Sequence, residues 1–208
     1  MFGFTQAELK VLRKLSTPDK IQDFLDALPA NYVKQGDTLY SPRAVLREHK
    51  AHCIEGALLA MAAFAVNGKE SWLLDLRTKA YDEDHVVTLF KRNGYWGALS
   101  KTNHPVLRYR DPIYKSVREL ALSYFHEFFM ADDGRKTMVD YSRPFSLKRF
   151  GIEWMTSEKN LWDIAIALDN SLHYPIVPAG ASRHLRPATR IERDAYQMVE
   201  WKKSDPRT

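Results

Sequence analysis

The sequence predicts an α+β fold, in which helices and a small antiparallel sheet occupy separate stretches of the chain. Residues 53–66 form an apolar, alanine-rich segment with the length and composition of a buried helix. Three short β-prone runs follow at residues 71–77, 84–91 and 94–100. Amphipathic patterns typical of helices stand on both sides of this central region.

The length of 208 residues favours one domain, or one domain with an extension. We assign residues 1–130 to the core and residues 131–208 to a C-terminal extension that packs on it as part of a single structural domain. Cys53 is the single cysteine, so the chain contains no internal disulfide.

The first helix is predicted at residues 17–28, where Thr17 can cap and Pro18 suits the first helical position. Residues 31–50 carry glycine, proline and charge, which predicts a loop with a single helical turn. The helix at residues 53–66 should end at the Asn67-Gly68 pair.

The second and third β-prone runs are joined through Asn93-Gly94, a pair that favours a tight hairpin turn. An antiparallel sheet packed on the alanine-rich helix is therefore expected. Residues 101–112 resemble a loop, and Asp111 and Pro112 then suit the start of a helix that ends near residue 128. A further helix is predicted at residues 157–172.

The net charge of +5 is spread unevenly. Residues 101–118 contain five basic side chains and one acidic, and residues 183–208 contain seven and four. Nucleic-acid binding is nevertheless not expected, because the chain lacks a Gly-aromatic RNA signature, paired zinc-finger ligands and a basic leucine-zipper pattern. The basic residues instead predict a solvated surface.

A cytoplasmic location without membrane contact is expected. The longest apolar stretch, residues 57–66, has about half the length that a membrane span needs. The N-terminal residues become polar too early for a signal peptide. A single cysteine is also typical of a reducing compartment.

Cys53 is the first candidate for chemistry, because it stands between a basic approach and the first turn of a buried helix. The partial positive charge of a helix N-terminus and nearby cations favour the thiolate, which is the reactive form. The alternative is that Cys53 is a small buried hydrophobic residue.

His85 is the best candidate for a base that accepts the thiol proton. It follows the acidic residues 82–84 and begins a β-prone run. If this strand lies beside the helix that starts at Cys53, His85 can take the proton and later return it to a leaving group. The alternative is a histidine that simply ends a polar turn.

A third group should orient the imidazole of His85. The side-chain oxygens available after the third run belong to Ser100, Thr102 and Asn103, and no carboxylate occurs before Asp111. A neutral amide can orient a histidine, as in Cys-His-Asn proteases.

Acyl transfer also needs donors for the developing oxyanion. The Cys53 backbone N–H is one candidate, and a second donor is expected from His52 or Tyr40. Lys101, Arg108 and Arg110 are candidates to bind an acidic group of the substrate, with ordinary surface charge as the alternative.

The order of Cys53 at a helix start, His85 before a strand and a Trp-containing strand at residues 95–100 resembles the transglutaminase-like superfamily, in particular its uncharacterised bacterial members. The resemblance covers about residues 40–110 and implies a papain-like α+β core. It implies Cys53 as nucleophile and His85 as base. The family's aspartate position falls near Ser100, four residues after Trp96.

Because no aspartate stands there, three alternatives remain: another residue orients His85, the site is a dyad, or the site is a relic. Asn103 is our preferred orienting residue, with Ser100 second.

The expected function is that of a thiol hydrolase or acyltransferase acting on an amide or ester bond of a protein, peptide or small amide, without a cofactor or metal. The alternative is a catalytically degenerate scaffold that binds a partner or acidic ligand through its basic surface. A zinc site formed by His49, His52, Cys53 and His85 is a third interpretation, although its H-x-x-H-C spacing matches no common zinc module.

Overall fold

The computed structural model describes residues 2–32 and 38–208. Its centre is a six-stranded antiparallel sheet with the strand order β4-β3-β2-β1-β5-β6. The predicted α+β class and antiparallel sheet are confirmed. None of the helices in residues 2–32 and 38–208 combines the length and hydropathy needed to cross a bilayer.

The helices and strands have the following bounds. The helices are α1 (Gln6–Lys14), α2 (Pro18–Ala27), α3 (Pro42–Glu48), α4 (Cys53–Val66), α5 (Val117–Phe125), α6 (Trp162–Asp169) and α7 (Arg190–Tyr196). The strands are β1 (Trp72–Arg77), β2 (His85–Arg92), β3 (Tyr95–Leu99), β4 (Arg110–Tyr114), β5 (Asp140–Ser142) and β6 (His173–Pro175).

The predicted central helix is α4, and every residue from Ile54 to Phe64 is buried. It packs on the sheet on one side and on α1, α2 and α3 on the other, which explains why its sequence is apolar on all faces. The helix is followed by Gly68 in a left-handed conformation with φ +69°, as the Asn-Gly pair predicts.

Alternate residues of the sheet supply two hydrophobic cores. Leu73 and Val86 belong to the core around α4, whereas Leu74 and Val87 belong to a second core that includes α5. The buried Thr88 of β2 donates its hydroxyl to the Ala57 carbonyl of α4 at 2.7 Å. This bond fixes the helix that begins at Cys53 against the strand that begins at His85.

Two local predictions need correction. The helix expected from Asp111 begins only at Val117, where Ser116 caps it by accepting the Glu119 N–H at 3.1 Å. Residues 110–114 instead form β4, which lies at the edge of the sheet. An edge strand tolerates Pro112, because its missing N–H need not join a ladder on both sides.

The region expected to be a loop with one helical turn contains the longer helix α3, started by Ser41 as N-cap and Pro42 at the first position. Residues 33–37 of that predicted loop lie outside the described residues.

The chain after residue 131 contributes to the same sheet as the residues before it. Strand β5 pairs with β1, and β6 pairs with β5. The helix predicted at residues 157–172 is α6, shorter at both ends, and it packs against β1. The C-terminal region therefore supplies two of the six strands, including β6 at one edge of the sheet.

Candidate active site

Cys53 is the first residue of α4 and remains partly exposed, although the rest of the first turn is buried. Its backbone N–H belongs to the four amides that an α-helix leaves without an intrahelical acceptor. Within the described part of the chain, that amide makes no hydrogen bond. The sulfur and a free amide donor therefore lie together at the helix start.

His85 and Ser100 are joined side chain to side chain. The distance between His85 Nε2 and Ser100 Oγ is 2.7 Å, and both residues are buried. The Ser100 hydroxyl also lies 2.5 Å from the Leu107 carbonyl oxygen, which can only accept. Since a hydroxyl has one proton, it donates to Leu107 and must accept from His85.

This arrangement assigns the tautomer of His85. With Nε2–H donated to Ser100, a neutral His85 has its lone pair on Nδ1, and Nδ1 is the nitrogen that remains for the sulfur. A base of this kind can accept the thiol proton without any rearrangement of the ring.

The thiol of Cys53 is acidified by its neighbours. Burial alone would raise its pKa, but hydrogen bonding and positive charge from His52 and His85 outweigh burial. The pKa of Cys53 consequently lies well below its usual value, which favours the thiolate.

His52 is the second imidazole beside the sulfur. Burial would lower its pKa, but the hydrogen bond and charge of Cys53, followed by Glu55 and the Thr38 carbonyl, raise it to about 9. Its Nε2 lies 2.7 Å from the Thr38 carbonyl oxygen and 3.3 Å from Glu55 Oε1. His52 is therefore a cation at neutral pH, held by acceptors on its far side.

Glu55 anchors the approach to the site from the first turn of α4, where it is completely buried. Its carboxylate accepts the backbone N–H groups of His52 at 3.0 Å and Tyr40 at 2.9 Å. It also accepts the side chains of Asn31 at 3.0 Å and Thr38 at 2.7 Å. The single charge in the alanine-rich helix thus holds the segments on both sides of residues 33–37.

Gln22 holds Ser100 in place from helix α2. Its Nε2 donates to the Ser100 carbonyl at 2.8 Å, and its Oε1 accepts the Ser100 N–H at 3.0 Å. Ser100 follows the last residue of β3, where the ladder with β2 has ended. Sequence reasoning missed Gln22, because a glutamine in an amphipathic helix carries no signal of a distant partner.

The preference for Asn103 as the residue that orients His85 is wrong. Asn103 Nδ2 donates to the Trp201 carbonyl at 2.9 Å and to the Tyr32 hydroxyl, and its Oδ1 accepts the Trp201 N–H at 2.8 Å. The side chain thus binds the C-terminal segment. Ser100, the second choice, is the residue that contacts His85.

The three cations proposed to bind substrate are engaged elsewhere. Lys101 is 2% exposed and donates to the Leu28 carbonyl at 2.5 Å, and burial lowers its pKa to about 8. Arg108 pairs with Glu200 at 3.1 Å, and Arg110 with Glu127 at 2.6 Å. Burial of Lys101 contradicts its assignment to a substrate cleft. Arg108 and Arg110 are paired with carboxylates of this chain, although the Arg108 side chain is 35% exposed.

The hydrogen bonds of Glu55 reduce the number of candidates for the second oxyanion donor. The backbone N–H groups of His52 and Tyr40 both donate to that carboxylate and are not free. Among these three residues, the donors that remain are the Cys53 amide and the side chains of His52 and Tyr40. Their role stays a prediction.

The zinc interpretation receives no geometric support. In residues 2–32 and 38–208, the side chains close enough to share an ion are Asp75, Asp84 and Asp169 rather than His49, His52, Cys53 and His85.

A cavity of about 530 Å³ lies at the opposite end of α4 from Cys53, beside Phe64 and Trp72.

The chain was compared with known proteins. No protein-family model matches it, and a search of curated proteins found no match.

Proposed function

We propose that the protein is a thiol hydrolase or acyltransferase that cleaves an amide or ester bond through Cys53, His85 and Ser100. The observation that carries this proposal is the chain of contacts from the acidified Cys53 sulfur through His85 to Ser100, in which the proton positions are fixed by the Leu107 carbonyl. We further propose that the core is a papain-like fold of the transglutaminase-like type.

The order of these groups along the chain supports that assignment. The nucleophile begins a buried helix, the base begins the strand β2, and the orienting group follows the next strand, β3. Ser100 occupies the place where a carboxylate is expected in the family. A hydroxyl fixes the ring but supplies no negative charge for an imidazolium, which would give slower catalysis than an anion does.

The proposed reaction has two halves. The Cys53 proton lies on His85 Nδ1 before the attack, and the thiolate sulfur attacks the substrate carbonyl carbon. The Cys53 amide stabilises the oxyanion, and the proton on Nδ1 passes to the leaving amine or alcohol as its bond to carbon breaks. A thioester remains, and water or an acceptor amine attacks it while His85 accepts the proton and returns it to the sulfur.

Covalent labelling tests this function. We expect iodoacetamide to alkylate Cys53 with a half-point pH well below the free-thiol value of about 8.5. His85→Ala should raise the half-point, because it removes a hydrogen bond and a cation from the sulfur. His184→Ala is the matched control, since His184 is exposed and remote in sequence, and it should leave the half-point unchanged.

Turnover is measured with a panel of chromogenic acyl esters and anilides. The wild-type protein should form an acyl-enzyme detectable by mass spectrometry, and Cys53→Ala should not. An unreactive sulfur, or one with an ordinary half-point in both wild type and His85→Ala, would contradict catalysis and favour the non-catalytic scaffold.

A further inference from the structure

Asp75 is a buried carboxylate in the middle of β1, with 4% of its surface exposed. Its Oδ2 lies 3.3 Å from His173 Nε2. Its Oδ1 is completely buried and makes no hydrogen bond to any residue in the described part of the chain. Burial of an unpartnered carboxylate oxygen is costly, and a cation at this atom would offset the cost.

Two further carboxylates approach Asp75. Asp84 directly precedes β2, and Asp169 is the last residue of α6. One oxygen from each of the three aspartates lies within 4.8 Å of the others. Asp75 is the buried member of the three, whereas Asp84 and Asp169 are exposed.

His173 is oriented by a hydrogen bond from its other ring nitrogen to the backbone. Its Nδ1 lies 2.8 Å from the Ser171 carbonyl oxygen, so Nδ1 carries a proton. Nε2 is then the ring nitrogen that faces Asp75 Oδ2. Histidines next to bound metals commonly donate their other ring N–H to a backbone carbonyl in this way.

Arg77 is a cation beside the cluster, and it is already bound to another carboxylate. Its Nε and Nη2 donate to both oxygens of Asp140 at 2.9 and 2.8 Å. Its Nη1 lies at the longer distance of 3.6 Å from Asp169 Oδ1. Asp84 Oδ1 accepts the N–H and hydroxyl of Thr78 at 2.7 and 3.0 Å, and no residue among 2–32 and 38–208 donates to its other oxygen.

We propose that Asp75, Asp84 and Asp169 bind a divalent cation of the oxygen-preferring class, such as Mn²⁺, Mg²⁺ or Ca²⁺, with His173 beside it. Carboxylate oxygens are the preferred ligands of these cations. The end of a helix adds further negative potential at Asp169. The three aspartates are far apart in the sequence and form no motif, so their spacing does not predict a metal site.

The ladder between β1 and β2 already joins Asp75 to Val86 and Leu76 to His85. The cation would add α6, from the C-terminal region, to this pair of strands. Asp84 is adjacent in sequence to His85. Bound metal would therefore restrain the start of the strand that carries the proposed base. The site is separate from the thiol chemistry and does not depend on it.

Mn²⁺ binding to the full-length chain, freed of metal with EDTA, tests the proposal. The loss of the free Mn²⁺ paramagnetic resonance signal and calorimetric titration should both give one site per chain. Asp169→Asn should weaken binding at least tenfold, and Asp169 is exposed enough for the variant to fold. Asp75→Asn should weaken it further.

Asp163→Asn is the matched control, since Asp163 is exposed in the first turn of the same helix, outside the cluster. It should bind Mn²⁺ as the wild type does. Cys53→Ala should also bind equally, which separates this site from the thiol. Absence of Mn²⁺, Mg²⁺ and Ca²⁺ binding at millimolar concentration by the folded wild type, or unchanged binding by Asp169→Asn, would overturn the proposal. If the wild type binds none of the three ions, the three aspartates form no cation site.

Discussion

Gly56 faces Lys101 so closely that a Cβ atom on Gly56 would lie 2.5 Å from Lys101 Cβ. Gly56 lies in the first turns of the helix that begins at Cys53, and Lys101 directly follows Ser100. The missing side chain therefore allows the proposed nucleophile and the Ser100–His85 pair to approach each other.

Gly56→Ala tests this close approach, because the contact decides whether the substitution raises or lowers the free energy of unfolding. Alanine in a helix is normally more stable than glycine by about 0.5–1 kcal/mol. Here the clash should reverse the sign and lower the free energy of unfolding by about 1–3 kcal/mol. Urea denaturation measures the change, and a more stable Gly56→Ala protein would show that the segment at Lys101 adjusts freely.

Ser100→Ala distinguishes the two candidate orienting residues. Removal of the Oγ acceptor leaves His85 Nε2–H without its partner, so the base loses its fixed tautomer. Alkylation of Cys53 at neutral pH should slow by about tenfold or more, as expected for a loss of at least 1.4 kcal/mol. Asn103→Ala is the comparison and should leave the rate unchanged, because Asn103 contacts Tyr32 and Trp201. Equal slowing by both variants would argue against the assigned roles.

The ion pair between Cys53 and His52 should make the free energy of unfolding depend on pH. The pKa of Cys53 is depressed in the folded state, so its contribution is lost as pH falls. The pKa of His52 is raised to about 9, so its contribution is complete below the unfolded value and is lost as pH rises. With unfolded values of about 6.5 for histidine and about 8.5 for cysteine, the two slopes cancel between about pH 6.5 and pH 8.5.

Comparison with Cys53→Ala measures this effect. The difference in unfolding free energy between wild type and variant should be greatest within that window and should decline on both the acidic and the alkaline side. Chemical denaturation across the pH range gives the profile. A difference that does not vary with pH would contradict the thiolate–imidazolium pair.

Gln22→Met tests the clamp on Ser100. Methionine retains the volume of glutamine but leaves the buried N–H and C=O of Ser100 unpaired, at a cost of about 1–3 kcal/mol for each. We expect a loss of about 2–6 kcal/mol in unfolding free energy, together with slower alkylation of Cys53. Gln6→Met, at the exposed start of α1, is the control and should change stability by no more than about 0.5 kcal/mol. A stable, fully reactive Gln22→Met protein would exclude a positioning role.

The central elements could be predicted because their signals are local. The apolar run that became α4 needs burial on every side, and Asn93 and Gly94 both adopt the positive φ that a tight hairpin requires. Cys53 and His85 stand at the starts of such elements, so their contact follows once the helix lies on the sheet. The segment at Asp111 misled the prediction, because a helix start and an edge strand with proline have similar local sequences.

The hydrogen-bond partners of His85 depend on contacts between residues that are far apart in the sequence. Asn103 and Ser100 both offer an oxygen shortly after Trp96, and only the position of Leu107 and Gln22 shows which one faces His85. Lys101 has the composition of a surface cation, yet the contact with Gly56 buries it. The sequence determined helix α4, strands β1, β2 and β3 and the place of Cys53 at the helix start, because these depend on periodicity and on short-range chain stiffness. Tertiary structure alone decided which polar atoms meet, because hydrogen bonds are specific to within a fraction of an ångström and sequence spacing is not.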